Sequence, residues 1–232
     1  MTEPRVGREA GAVDPAAASP LRALTLDIDG LADRLHATGW AVAPAAVDAR
    51  LCADLRAAAL VEWERGRFRP GRVGRAGERR AAPETRRTAI RWLDGATPVE
   101  AEYLAVMEAL RLGLNRRLFL GLFEYESHYA VYPPGAFYAT HVDALRGGGN
   151  RLVSTVLFLE PDWDATAAGL LELDAPGGDG APVAIPPEAG TLVCFLSDVF
   201  PHRVTPTRRL RVSLPGWFRR NPSCSGLASP PD

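Results

Sequence analysis

"RLVSTVLFLEPDWDATAAGLLELD", residues 151–174, holds two short apolar runs separated by a cluster of proline, aspartate and small residues. Runs of this length, rich in Val, Leu, Phe and Thr and bounded by turn formers, read as strands. The same texture fills the chain from residue 126 onward. HYAVY comes before these two runs, and APVAI, GTLVCFL, HRVTP and LRVSLPGWF come after, with Gly, Pro and Asp clusters between them. Seven short strands with turn signals indicate a β-sandwich or barrel.

Upstream of residue 125 the pattern is helical. IDGLADRLHATGW places Ile28, Leu31, Leu35 and His36 near one stripe and stops at Gly39, with His36 read as a helix-surface or core-edge residue. AAVDARLCADLRAAALVEWER repeats Val47, Leu51, Leu55 and Leu60 near helical spacing. PVEAEYLAVMEALRLGLNRRLFL opens with Pro98, a good first helical residue, and carries Leu104, Met107, Leu110 and Leu114 on one side. WAVAP and TAIRWLDG are strand candidates between the helices. Helices followed by a β unit form an α+β domain with the helices packed on one face of the strands. The expected organisation is one domain over 21–220, with helical support over 21–125 and a β core over 126–220. Small, polar, proline-containing tails at 1–20 and 221–232 flank it.

Composition narrows the function classes. The chain has 232 residues, 47% of them hydrophobic, and a net charge of −1, so no global field attracts nucleic acid or a membrane surface. Three separated cysteines, Cys52, Cys194 and Cys224, with no C-x-x-C, suit a reducing cytoplasm rather than a disulfide framework or zinc site. The first twenty residues hold acidic side chains and no apolar core of a signal peptide. All the basic residues are arginine, and the span 65–91 holds ten arginines against two glutamates. With three glycines in GRVGRAG and two prolines, Pro70 and Pro83, it reads as a loop, either a substrate-gripping lid or a solvated segment enriched by codon bias.

Within YPPGAFYATHVDAL, residues 132–145, His141 and Asp143 stand two apart. On a strand such residues share a face. With one further imidazole they would form the 2-His-1-carboxylate facial triad that suits non-haem Fe(II). His202 lies in the later strand candidate PHRV, and Arg211 in the next, LRVSL. A buried arginine facing an iron site needs a carboxylate partner, which the far end of 2-oxoglutarate supplies. HVDALRGGGNR has no Lys-Ser/Thr after its glycines and is read as a turn, not a phosphate loop. No Ser/His/Asp order or H-E-x-x-H points to a hydrolase, and Trp63, Trp92 and Trp163 read as core or turn anchors.

Together, YPPGAFYATHVD, RLVSTVLFLEPDWDATAAGLLEL and PHRVTPTRRLRVSLPGWF resemble the 2-oxoglutarate- and Fe(II)-dependent oxygenases, in particular the prolyl 4-hydroxylase branch with the oxygen-sensing enzymes and their bacterial relatives. The resemblance implies a double-stranded β-helix, the cupin-like jelly roll, buttressed by helices. It implies Fe(II) on His141, Asp143 and His202, with 2-oxoglutarate and O2 as co-substrates and Arg211 on the distal carboxylate. Tyr132, Tyr138, Thr155, Phe158, Leu171 and Val204 would line the co-substrate pocket. Arg151, Trp217, Arg86 and His128 would lie toward the substrate. Three departures stand out: Phe158 replaces a tyrosine, Ala168-Gly169 replaces Gly-Gly, and His128 replaces an apolar residue, as a substrate contact, an extra acid–base group or a satisfied structural histidine. The implied activity is hydroxylation of a prolyl residue in a protein held by loop 65–87, in the cytoplasm. A small-molecule hydroxylase and a non-catalytic sensor of oxygen or metabolite are the alternatives. Nothing in the sequence selects an oligomeric state.

Overall fold

The computed structural model describes residues 24–73, 80–144, 150–175 and 180–220, so the tails expected at 1–20 and 221–232 lie outside the described residues. Three helices, α1 (Ile28–Thr38), α2 (Ala49–Glu64) and α3 (Pro98–Leu118), alternate with short strands in the first half. These strands are β1 (Trp40–Ala43), β2 (Arg69–Pro70), β3 (Arg72–Val73), β4 (Arg80–Ala81) and β5 (Ala89–Trp92). The second half is β6 (Leu122–Tyr132), β7 (Tyr138–His141), β8 (Arg151–Phe158), β9 (Leu171–Leu173), β10 (Val183–Ile185), β11 (Leu192–Leu196), β12 (His202–Val204) and β13 (Arg211–Arg220).

The helix limits follow local chemistry. Asp27, Asp48 and Thr97 cap the three N-termini through side-chain oxygens that accept backbone N–H groups. Gly39 ends α1 at φ +80°, where a glycine carries no Cβ penalty. His36 is exposed in the last turn of α1.

Two antiparallel sheets face each other. The larger has the order β1-β11-β8-β13-β6-β5-β2 and the smaller β10-β9-β12-β7. This is the double-stranded β-helix, with the helices laid on the outer face of the larger sheet. Strand parity divides the core in two. Leu157, Cys194, Leu192, Val131, Val212 and Phe218 point to the helices and pack with Leu51, Leu55, Met107 and Leu110. Their strand neighbours Phe158, Val193, Phe195, Ala130 and Tyr132 point between the sheets, against Leu171, Leu173 and Val204. Glu160 closes the end of β8 as a buried carboxylate. It pairs with Arg56 of α2 at 3.3 Å and Arg209 at 3.6 Å, and accepts the Val212 N–H at 2.6 Å.

One expectation changes. The span 65–87 is not simply a loop: β2 pairs with β5 at the edge of the large sheet, and β3 pairs with β4 in a ribbon. Pro70 is compatible with a strand here because β2 is an edge strand, where a missing N–H costs nothing. Residues 74–79, between β3 and β4, lie outside the described residues. Pro215-Gly216 lies within β13 without breaking it. The register Ser213↔Phe158 through Phe218↔Val153 runs unbroken, so Arg211, Ser213 and Trp217 keep one face.

Candidate active site

The smaller sheet brings the two histidines together. His202 of β12 is the cross-strand partner of His141 at the end of β7. Asp143 follows two residues past that strand end, so the sheet sets its backbone without pairing it. One ligand-type atom from each of His141, Asp143 and His202 lies within 4.8 Å of the others. The nearest approaches are His141 Nε2 to Asp143 Oδ1, 3.8 Å, and His202 Nε2 to Asp143 Oδ2, 3.6 Å.

The ring orientations are set by backbone. His141 Nδ1 is 2.9 Å from the Ala139 carbonyl and His202 Nδ1 is 3.0 Å from the Phe200 carbonyl. A carbonyl only accepts, so each Nδ1 carries the proton and each Nε2 keeps a lone pair for a metal. Burial, then the neighbouring His202, pushes His141 down to about 3, so it is neutral at ordinary pH. Burial disfavours a charged Asp143, but His202 and His141 outweigh it, with help from Ser154 and Trp217, and hold it down at about 2. Two imidazoles with Nε2 turned inward and one carboxylate converging on a point form a donor set that fits Fe(II).

Arg211 supplies the second test of fit. It is 1% exposed, and its one hydrogen bond among the described residues is a 3.3 Å contact from a guanidinium NH to Ser213 Oγ. Its Nε has no partner, and Glu160, whose field reaches it, is engaged by Arg56, Arg209 and the Val212 N–H. Burial lowers the pKa of Arg211, opposed by Tyr132 and Glu160, yet a guanidinium does not deprotonate in a protein. The rings of Tyr132 and Phe158 stand 4.7 and 5.3 Å from its Cζ. A buried cation without an anion is costly, and a small dicarboxylate would offset that cost. Gly169, at φ +66°, makes room: a Cβ there would lie 2.9 Å from Thr207 and 3.3 Å from Arg211 Cδ.

The expected site residues divide by face. Tyr132, Phe158, Leu171 and Val204 gather between the sheets with Tyr138 packed against them. The Tyr138 ring stacks on His141 at 3.6 Å. Trp217, His128, Arg151 and Arg86 form the rim. The His128 ring lies 5.6 Å from Trp217 and 5.0 Å from Trp92, Arg151 covers Trp217 at 3.7 Å, and Arg86 covers Tyr138 at 4.6 Å. His128 is 1% exposed; burial, then Arg86, pushes it down to about 3, and its Nδ1 donates to the Tyr129 carbonyl at 3.1 Å.

Thr155 is not in this group. Its hydroxyl is 2.9 Å from that of Tyr125, which is 2.8 Å from that of Tyr103, all on the helix side of the large sheet. Thr155 and Phe158 are three apart on one strand, so they cannot share a face. The residue that does face the site is Ser154, whose Oγ donates to Asp143 Oδ2 at 2.7 Å and lies 2.9 Å from Ser197 Oγ. Counting back by twos from Phe158 would have found it. Trp92 was also missed as a rim residue, because a tryptophan in a strand reads first as a core anchor. A separate groove of about 490 Å³, lined by Arg34, Trp40, Val42, Val183 and Ile185 among others, contains none of these residues.

Comparison with known proteins fits this geometry. Residues 127–219 match the family model described as the 2OG-Fe(II) oxygenase superfamily. A prolyl hydroxylase from Trichoplax adhaerens, solved with a hypoxia inducible factor oxygen degradation domain peptide fragment, shares the fold (TM-score 0.75, 22% identity, 83% of this chain and 88% of that one). Egl nine homolog 1 of Rattus norvegicus is 35% identical over 91 residues, 38% of this chain, which spans only 27% of that relative's length. A prolyl-4-hydroxylase from Pseudomonas putida is 38% identical, with a TM-score of 0.76 over 84% of this chain and 99% of that one. The chain therefore belongs to the 2OG-Fe(II) oxygenase superfamily, beside this bacterial prolyl-4-hydroxylase.

Proposed function

We propose that this chain is a 2-oxoglutarate-dependent hydroxylase that oxidises an unactivated C–H of a prolyl residue in a protein and releases succinate and CO2. The observation that carries the reading is Arg211, a buried guanidinium with no carboxylate partner among the described residues, on the large sheet opposite a His/Asp/His cluster. The choice of prolyl substrate is supported by the likeness to the Pseudomonas putida prolyl-4-hydroxylase.

Superfamily membership implies Fe(II), 2-oxoglutarate and O2. When bound, these supply the oxidising chemistry that inserts oxygen into a C–H bond. The chain's own residues bind and orient. His141, His202 and Asp143 would hold the metal through Nε2, Nε2 and a carboxylate oxygen, and Ser154 would keep the carboxylate from rotating. Arg211 would read the distal carboxylate of 2-oxoglutarate, flanked by Tyr132 and Phe158. Phe158 has no hydroxyl to add to that contact, so the guanidinium carries it. Leu171 and Val204 exclude water from the co-substrate's apolar stem. His128, neutral at ordinary pH, offers a lone pair rather than a proton at the rim. Cys52 and Cys194 are free and buried, which supports a cytoplasmic location. No helix among the described residues is long and apolar enough to cross a membrane.

The test is succinate release from 2-oxoglutarate with Fe(II) and O2, with the protein and small-molecule fractions of a bacterial extract added separately and Asp143→Ala as control. Stimulation by the protein fraction, with one added oxygen on a prolyl residue by mass spectrometry, is the expected result. Stimulation only by small molecules would replace the protein substrate with a metabolite.

A further inference from the structure

Arginine is abundant throughout this chain, so its number near the site says little; its pairing says more. Several arginines meet carboxylates: Arg56 with Glu160, Arg91 with Glu100, Arg117 with Asp33, Arg203 with Glu172, while Arg34 and Arg116, exposed on α1 and α3, stand apart from the site. Four arginines in the segment from β2 to the start of β5, beside the active-site rim, meet none. Arg69, Arg72, Arg86 and Arg87 take part in no ion pair among the described residues, while Arg69, Arg72 and Arg87 are exposed.

Arg86 is held in place rather than solvated. Its Nε donates to Thr88 Oγ1 at 2.7 Å and a terminal nitrogen reaches the Arg72 carbonyl at 3.4 Å. Its Cζ lies 4.6 Å from the centroid of Tyr138, the ring stacked on His141. Gly71 gives it room, since a Cβ there would lie 2.5 Å from Arg86 Nε and 2.7 Å from Thr88 Oγ1. The ribbon's base is tied to the strand that carries His141: Arg87 N–H donates to the Phe137 carbonyl at 3.0 Å, and Ala139 N–H to the Thr85 carbonyl at 2.8 Å. A planar cation fixed this way, one aromatic ring from a candidate metal ligand, loses little freedom on meeting a carboxylate. The exposed arginines beyond it extend the positive field along the ribbon. A net charge of −1 for the whole chain makes that field local.

We propose that the substrate segment is acidic: an Asp or Glu side chain beside the target residue engages Arg86, and further acidic side chains lie along Arg69, Arg72 and Arg87. The proposal rests on the hydroxylase reading for the position of the target. Recognition by charge would steer encounter and be weakened by salt, because the Debye length falls to about 8 Å at physiological ionic strength.

The test separates the two readings. Fluorescent peptides with a central proline, flanked by Asp and Glu, by isosteric Asn and Gln, or by Lys, are titrated against the full chain loaded with Fe(II) and 2-oxoglutarate without oxygen. Anisotropy reads binding at low and physiological salt, and a short single-stranded oligonucleotide serves as a polyanion control. The acidic peptide is expected to bind about tenfold or more tighter than its amide isostere. Salt should shrink that margin, Arg86→Gln should remove most of it, and Arg69→Gln or Arg72→Gln should lower it about twofold each. Arg116→Gln, on α3, is expected to leave it unchanged. Equal affinity for acidic and amide peptides, no binding by either, an unchanged preference in Arg86→Gln, or equally tight binding of the oligonucleotide would overturn the proposal. Succinate release and peptide mass after oxygen is admitted judge the hydroxylase reading separately. Tight acidic binding without prolyl oxidation would retain the charge recognition and reject the prolyl target.

Discussion

The two faces of β8 and β13 have the same backbone and opposite roles. On the helix side, Val153, Thr155, Leu157, Val212, Leu214 and Phe218 are buried against α2 and α3 or their hydroxyls. On the inner side, Ser154, Phe158, Arg211, Ser213 and Trp217 gather polar groups around a gap that the protein's own atoms do not satisfy. One face lowers the free energy of the fold; the other retains an unpaired buried cation, which a ligand can compensate. Adjacent residues should therefore fail in different ways, one in activity and the next in stability.

The largest effect is expected at the inner face. Asp143→Ala should reduce Fe(II)-dependent succinate release by at least about a thousandfold, with little loss of thermal stability, since it removes a buried carboxylate rather than packed apolar volume. Normal turnover in this variant would remove Asp143 from the site. Leu157→Ala, on the helix face, should do the reverse: about 2–5 kcal/mol of stability lost by denaturant titration, with the KM for 2-oxoglutarate retained in the folded fraction.

Ser154→Ala and Thr155→Val sharpen the contrast because they are neighbours. The first should weaken Fe(II) affinity about tenfold, measured by anaerobic metal titration, because Asp143 Oδ2 loses its 2.7 Å donor. The second should leave metal affinity alone and cost about 1 kcal/mol through the Tyr103–Tyr125 hydroxyl chain. Equal metal affinities in the two variants would dissolve the distinction between faces.

A smaller effect concerns pH. His128 titrates near 3 in the folded chain, below the ordinary histidine value near 6.5, through burial, with Arg86 and Arg151 also lowering it and Asp143 opposing. Between those two values the unfolded chain binds the extra proton, so stability falls as pH falls. His128→Phe should lose less stability than the parent between pH 6 and pH 5, by up to about 1 kcal/mol, read from paired denaturant titrations. The smallest expected change is a gain. Ala168 sits at φ +54°, ψ −136°, beside Gly169, and Ala168→Gly should add about 0.5 kcal/mol and raise Tm slightly.

Much of this was legible in the order of residues. Alternating apolar runs with turn formers between them identify strands, and 3.6-residue stripes, one closed by Gly39 and one opened by Pro98, identify helices, because both signals are local. The pair His141 and Asp143 is local too, two residues apart at a strand end. Thr155 shares the face of Leu157, and only the packing shows that this face turns to the helices rather than to the co-substrate pocket. The short strands within 65–87 were missed because β2, β3 and β4 are two residues each, too short to show a period.

By itself, then, the sequence determined element type, the helix limits and the local H-x-D, all properties of side chains within a few positions of one another. Only tertiary structure decided that His202 would sit opposite His141 and that Ser154 would reach Asp143. The same holds for Arg211, left without an anion among the described residues while Glu160, in its field, went to Arg56 and Arg209. These depend on which strands become neighbours and which carboxylates are already engaged, and such competition is settled only when distant segments are buried together.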